Sequence, residues 1–87
     1  MNYASQSFWK AYDELPADIR QLADRCFALL KENPRHPSLH FKKLKGTDWW
    51  SARIGDHYRA MAKPVGADMQ WRWIGTHAEY DRRAGKN

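Results

Sequence analysis

The chain has 87 residues, with 15 Lys+Arg against 10 Asp+Glu and a formal net charge of +5. That length holds one small domain, residues 1–87, and 43% hydrophobic with 14% aromatic residues excludes a disordered polycation. A single cysteine, Cys26, excludes an intramolecular disulfide and a cysteine-rich zinc site. No apolar run is long enough to cross a bilayer. Met1-Asn2-Tyr3-Ala4 lacks the basic-then-apolar pattern of a signal peptide, so the sequence reads as cytoplasmic. A chain of this size buries only about 60% of its unfolded surface, so a partner protein would add stability.

The first half reads as a helical hairpin. Phe8, Ala11, Tyr12 and Leu15 fall on one helical face, and Ser5 or Ser7 is placed to cap its start. Leu15-Pro16 breaks the run, because the residue before proline avoids the α region. A second helix follows, with Pro16 and Asp18 suited to its first turn. Ile19, Leu22, Ala23, Cys26, Phe27, Leu29 and Leu30 recur at three- and four-residue steps, and Asn33-Pro34 stops it. Two helices joined by one tight turn make an antiparallel pair. Cys26 lies on the apolar stripe, which points to a buried thiol rather than a nucleophile.

After the loop Asn33-Pro34-Arg35-His36-Pro37-Ser38, the pattern turns to strands. These are expected near Leu39–Lys45, Trp49–Ile54, Tyr58–Lys63 and Met69–Gly75, with Pro64-Val65-Gly66-Ala67-Asp68 as a loop. The fold class is therefore α+β: a helical hairpin packed on a three- to four-stranded antiparallel sheet, covering one face and leaving the other open. The turn after Ile54 decides where two arginines point. A two-residue turn, Gly55-Asp56, puts Arg53 and Arg59 on opposite faces. A three-residue loop, Gly55-Asp56-His57, sets them directly opposite each other at a cost in stability. Such a loop prefers glycine at its left-handed position, which His57 would occupy.

Charge is one-sided. Residues 1–40 carry five basic and five acidic side chains, whereas residues 41–87 carry ten basic and five acidic ones with four of the five Trp. A basic, aromatic half suits a polyanion, although a solvated basic surface has the same composition. Trp71 and Trp73 alternate with Arg72, which favours core over base stacking. His36 and His40 stand four apart, but Pro37 spoils a helix between them and no Cys or acidic partner is near, so no metal site is expected.

Three segments carry a resemblance. Asn33-Pro34-Arg35-His36-Pro37-Ser38-Leu39-His40-Phe41-Lys42-Lys43-Leu44 looks like the helix-to-sheet connection of the RelE/ParE toxin superfamily. Trp50-Ser51-Ala52-Arg53-Ile54-Gly55-Asp56-His57-Tyr58-Arg59 is similar to its Arg-hydrophobic-Gly-Asp-Tyr-Arg hairpin, with His57 as one extra residue that favours the three-residue loop. Trp73-Ile74-Gly75-Thr76-His77-Ala78-Glu79-Tyr80-Asp81 resembles its closing strand, where a Gly-x-His segment carries catalytic residues in the RNase members. One departure is that only Met1–Ala4 precede the first helix, where many members have a strand, so a smaller sheet or an altered edge is expected.

The resemblance implies the toxin of a type II toxin–antitoxin pair, partnered by an antitoxin whose acidic segment covers the basic sheet face. RelE-like members cleave mRNA on the ribosome, whereas ParE-like members inhibit DNA gyrase without being nucleases; an inactive antitoxin-binding member is a third possibility. Metal-free RNA cleavage uses the 2′-hydroxyl as nucleophile and requires a base, an acid and cations for the developing charge, with no cofactor. Arg53 and Arg59 suit a bidentate phosphate clamp, and His77 suits proton transfer near neutrality. Tyr80 can donate a proton or stack on a base. Lys42, Lys43, His57 and Arg72 are the remaining RNA-binding candidates. Each has a structural role in competition: Arg53 and Arg59 can pair with Asp56, Asp48 or the antitoxin, His77 can cap a strand end, and Tyr80 can pack at the core edge. Arg82-Arg83-Ala84-Gly85-Lys86-Asn87 reads as a frayed end.

Overall fold

The computed structural model describes residues 2–83. Asn2–Ala4 form β1 and Gln6–Asp13 form α1. Ser5 caps α1, its Oγ accepting from Phe8 N–H at 3.3 Å, which satisfies one of the orphan donors of the first turn. Ala17–Glu32 form α2, bounded by Pro16 and Asn33. A 3₁₀ turn at Pro37–Leu39 leads to β2, Lys42–Lys43. Three longer strands follow: β3, Trp50–Ile54; β4, Tyr58–Val65; and β5, Asp68–Thr76. α3, His77–Arg83, closes the described chain.

The strands form one sheet in the order β1-β5-β4-β3-β2, with β1 parallel to β5 and the other pairs antiparallel. The fold is α+β, with a five-stranded mixed sheet in place of the expected three or four antiparallel strands. β1 is too short to show a period-2 pattern. What fixes it is long-range pairing, Asn2 to Met69 and Ala4 to Trp71, plus a bond from Trp71 Nε1–H to Asn2 Oδ1 at 3.1 Å. The expected strand over Leu39–Lys45 shrinks to β2, because Leu39 is drawn into the core (1% exposed) by the 3₁₀ turn. The expected loop at 64–68 tightens to Gly66-Ala67, with Val65 opposite Asp68.

The helical hairpin is also revised. α1 packs chiefly on β5, and it meets α2 through side chains: the Phe8 and Phe27 rings lie 5.5 Å apart, and Tyr12 OH donates to Asp24 at 2.7 Å. α2 lies over one sheet face, where Ala52, Ala60 and Ala62 are fully buried with Ile54, Ile74 and Trp71. Small residues on the central strands let the apolar stripe of α2 approach the sheet, the close-packed arrangement a small core requires. Cys26 is half-buried there.

Arg72 is the extra residue of a β-bulge: Met61 faces Trp73 and the next residue, Ala62, faces Trp71. The bulge sends the two tryptophans to opposite faces. Trp71 joins the core under α2, and Trp73 joins Met61 and Tyr80 in a second cluster on the other face. Both are core residues, as their alternation implies, but they serve different layers. Burial of each contributes roughly 3 kcal/mol.

The chain also departs from expectation after Thr76. α3 replaces the continued closing strand, and it lies on the face the helices were expected to leave open. Thr76 and Glu79 form a capping box: Thr76 Oγ1 accepts from Glu79 N–H at 3.2 Å, and Glu79 Oε1 accepts from Thr76 N–H at 3.2 Å. Arg82 and Arg83 belong to this helix rather than to a frayed end; Ala84–Asn87 lie outside the described residues.

Candidate functional site

The three-residue loop is the one that forms. Ile54 pairs with Tyr58 and Arg53 with Arg59. Gly55 takes the left-handed position, φ 65°, so His57 is not required to. A Cβ on Gly55 would also stand 2.6 Å from Leu22 Cδ2, so glycine is needed for both backbone and space. The loop therefore aims Arg53 and Arg59 side by side on the face away from α2.

On that face the sheet and α3 enclose a cavity of about 140 Å³. β2 contributes Lys42, β3 contributes Ser51 and Arg53, and β4 contributes Arg59. α3 adds His77, Tyr80 and Asp81, and the turn before β2 adds His40. The cavity thus gathers all four residues expected to act chemically, Arg53, Arg59, His77 and Tyr80, together with Lys42.

The two arginines differ in their partners. Arg53 Nε donates to Gly55 O at 2.9 Å, and its guanidinium forms an ion pair with Asp56 at 2.6 Å. Among the described residues Arg59 donates only to the backbone oxygen of Tyr58, at 2.9 Å, and forms no ion pair. Burial and then the Arg53 guanidinium lower the pKa of Arg59, against Tyr80, Asp81 and Asp56, which raise it. Arg59 is thus a charge short of counter-charge, and an anion between the two guanidiniums would supply it.

α3 positions the remaining groups. Its first N–H, of His77, donates to His57 O at 2.8 Å, tying the helix to the arginine loop. His77 Nδ1 stands 3.4 Å from Asp81 Oδ2, one turn along, with both side chains open to solvent. Tyr80 is 5% exposed; its ring packs with Met61 and Trp73, while its hydroxyl donates to Ser51 Oγ at 3.4 Å. Tyr80 is therefore both core and cavity wall. Gly75, opposite Arg59, lets the Trp73 ring fold across it: a Cβ there would lie 2.3 Å from Trp73 Cζ2.

Three expected RNA-binding residues lie outside the cavity. Lys43 pairs with Trp50 and so faces away from Lys42. His57 lies at the exposed loop tip and contributes its carbonyl. Arg72, on the bulge, donates to Gln70 Oε1 at 3.1 Å and lies 6.0 Å over Trp49. His36 instead caps the 3₁₀ turn, its Nδ1 accepting from Ser38 N–H at 3.2 Å.

His40, Ser51 and Asp81 were not foreseen. Ser51 shares a face with Arg53 by strand alternation, and Asp81 shares one with His77 once α3 is recognised. A larger groove, about 400 Å³, opens beside Trp9, Phe27 and Trp71; its lining is mostly apolar and aromatic, with Lys31 as its one cation and no arginine or histidine. No helix among the described residues is long and apolar enough to cross a membrane.

Solved structures share this fold. The RelE of a RelB–RelE antitoxin–toxin complex from Methanococcus jannaschii superposes with TM-score 0.70 at 21% identity, over 91% of this chain and 95% of that one. YafQ from E. coli gives 0.70 at 17% identity, over 92% and 96%. A YoeB/ParE toxin from Agrobacterium tumefaciens gives 0.68 at 19% identity, over 87% and 96%. No curated protein sequence matches. The model of the ParE-like toxin domain matches residues 17–82, well over half the chain; the protein belongs to the ParE-like toxin domain family, within the RelE/ParE superfamily.

Proposed function

We propose that the protein is the toxin of a type II toxin–antitoxin pair and cleaves mRNA, on the ribosome, without a metal ion. The observation that carries this is the convergence of an arginine pair, a histidine and a tyrosine hydroxyl in one cavity. Arg53 and Arg59 clamp the scissile phosphate, and Lys42 binds an adjoining oxygen. Asp81 holds the Nδ1 side of His77, so Nε2 is free to take the proton of the 2′-hydroxyl. That oxygen attacks the adjacent phosphorus, leaving a 2′,3′-cyclic phosphate and a 5′-hydroxyl. The Tyr80 hydroxyl donates to the developing negative charge. Lys43, His57 and Arg72 are left for flanking nucleotides.

An acidic antitoxin segment is the natural cover for the basic face. Solved relatives of this fold are RelE and YafQ in complex with their antitoxins. We read the chain as one cytoplasmic toxin domain spanning residues 1–87. A second reading, inhibition of DNA gyrase without catalysis, is favoured by the ParE-like family match. The pair His77→Ala and Tyr80→Phe separates the two. Loss of toxicity with the circular dichroism spectrum intact supports the nuclease. Toxicity retained in both variants, with gyrase-dependent DNA damage on expression, supports the inhibitor.

A further inference from the structure

We propose that His40 is the general acid that protonates the leaving 5′-oxygen. This inference rests on the nuclease reading above. In-line attack places the 2′-hydroxyl and the 5′-oxygen on opposite sides of the phosphorus, so base and acid must approach from opposite sides. The strand order β5-β4-β3-β2 meets that demand. His77 enters directly after β5 and His40 stands two residues before β2, while Arg59 on β4 and Arg53 on β3 lie between them. Three interstrand steps span about 14 Å of backbone, and His77 and His40 line the same cavity from its two ends.

The backbone singles out the same residue. His40 has φ 44° and ψ 41°, and it is the one non-glycine among the described residues with positive φ. L-residues avoid this region because Cβ crowds the backbone. For the turn alone, glycine would serve better. The conformation lets the chain leave the 3₁₀ turn at the buried Leu39 and present residue 40 at the cavity. His40 is the C-cap of that turn, where a left-handed residue is common and histidine is among the side chains that tolerate it, so the cap itself sets the residue at the cavity wall. His40 is exposed, so solvent can reprotonate it between turnovers. In the step proposed, Nε2–H or Nδ1–H of the imidazolium gives its proton to the 5′-oxygen as the P–O5′ bond breaks, while His77 accepts the 2′-hydroxyl proton as the new P–O2′ bond forms.

The test uses the full chain, ribosomes, and an mRNA with either an ordinary phosphodiester or a 5′-bridging phosphorothiolate at the mapped cleavage position. Sulfur leaves without protonation. His40→Asn, which tolerates the left-handed region, should slow the ordinary linkage by about 100-fold or more yet cleave the thio linkage at close to the wild-type rate. His77→Asn should be slow on both. His40→Gly should melt no lower than wild type while sharing the cleavage defect. Wild-type rates for His40→Asn on the ordinary linkage, or equal losses on both linkages, would overturn the assignment and leave the nuclease reading standing. A wild-type protein that cleaves neither mRNA overturns both.

Discussion

Arg53 and Arg59 face each other directly across β3 and β4, and of the two only Arg53 has a carboxylate partner among the described residues, Asp56 at 2.6 Å. Like charges opposed in a sheet are unfavourable by a few tenths of a kcal/mol to about 1. Arg59 bears that cost without an ion pair among the described residues. Function and stability should therefore part company at this position. Arg59→Gln should raise stability in urea unfolding by about 0.5 kcal/mol while lowering cleavage by roughly 100- to 1,000-fold. A destabilised Arg59→Gln would mean that the guanidinium holds the hairpin instead.

Tyr80 carries two roles that can be separated. Tyr80→Phe keeps the ring against Met61 and Trp73 and loses only the hydroxyl, whose bond to Ser51 is long at 3.4 Å. Its cost should be about 1 kcal/mol or less, with a loss of cleavage far larger than such a stability change explains. Tyr80→Ala removes the ring as well and should cost about 3–5 kcal/mol. Equal denaturation midpoints for the two variants would contradict the packing assigned here.

Gly75 should resist substitution although its backbone is not left-handed. The Trp73 ring and Glu79 Oε1 occupy the space of its Cβ, at 2.3 and 2.9 Å. Gly75→Ala must displace either the tryptophan or the capping box of α3. A loss of about 1–3 kcal/mol is expected, and weaker cleavage should accompany it because α3 carries His77 and Tyr80. Wild-type stability in thermal melts would show that the ring does not lie across Gly75.

The Cys26 thiol is raised above its ordinary pKa of 9.0, chiefly by burial. The unfolded chain therefore loses this proton first as pH rises. The stabilisation is complete below the unfolded value and is lost as pH rises through the higher folded value. Urea midpoints measured between neutral pH and pH 10 should fall more for wild type than for Cys26→Ala. Native protein at pH 8 should also react with iodoacetamide more slowly than urea-unfolded protein; equal rates would place the thiol in solvent.

The parts of this fold legible in the sequence were those governed by local rules. Proline and asparagine bounded α2, the three- and four-residue spacing fixed its buried stripe, and alternation located the three long strands. Local rules left the arginine pairing open; only the resemblance, through the extra residue His57, favoured the three-residue loop that forms. β1 was missed because three residues carry no period; only their partners, some 67 positions along the chain, define them. α3 did leave a local mark, the Thr76-His77-Ala78-Glu79 capping box, but the apolar strand before it read as continuing. The bulge at Arg72 left no mark, and neither did the turn that delivers His40. The four chemical residues lie together because β3, β4 and α3 converge, and convergence is a property of the tertiary fold.

One experiment decides whether this cavity cleaves RNA. The direct measurement is mRNA integrity in a cell-free translation reaction containing purified protein, beside an Arg59→Ala control. Cleavage at discrete positions is expected, requiring ribosomes and disappearing in the control. Intact mRNA with translation unaffected would contradict it and favour gyrase inhibition or an inactive antitoxin-binding fold.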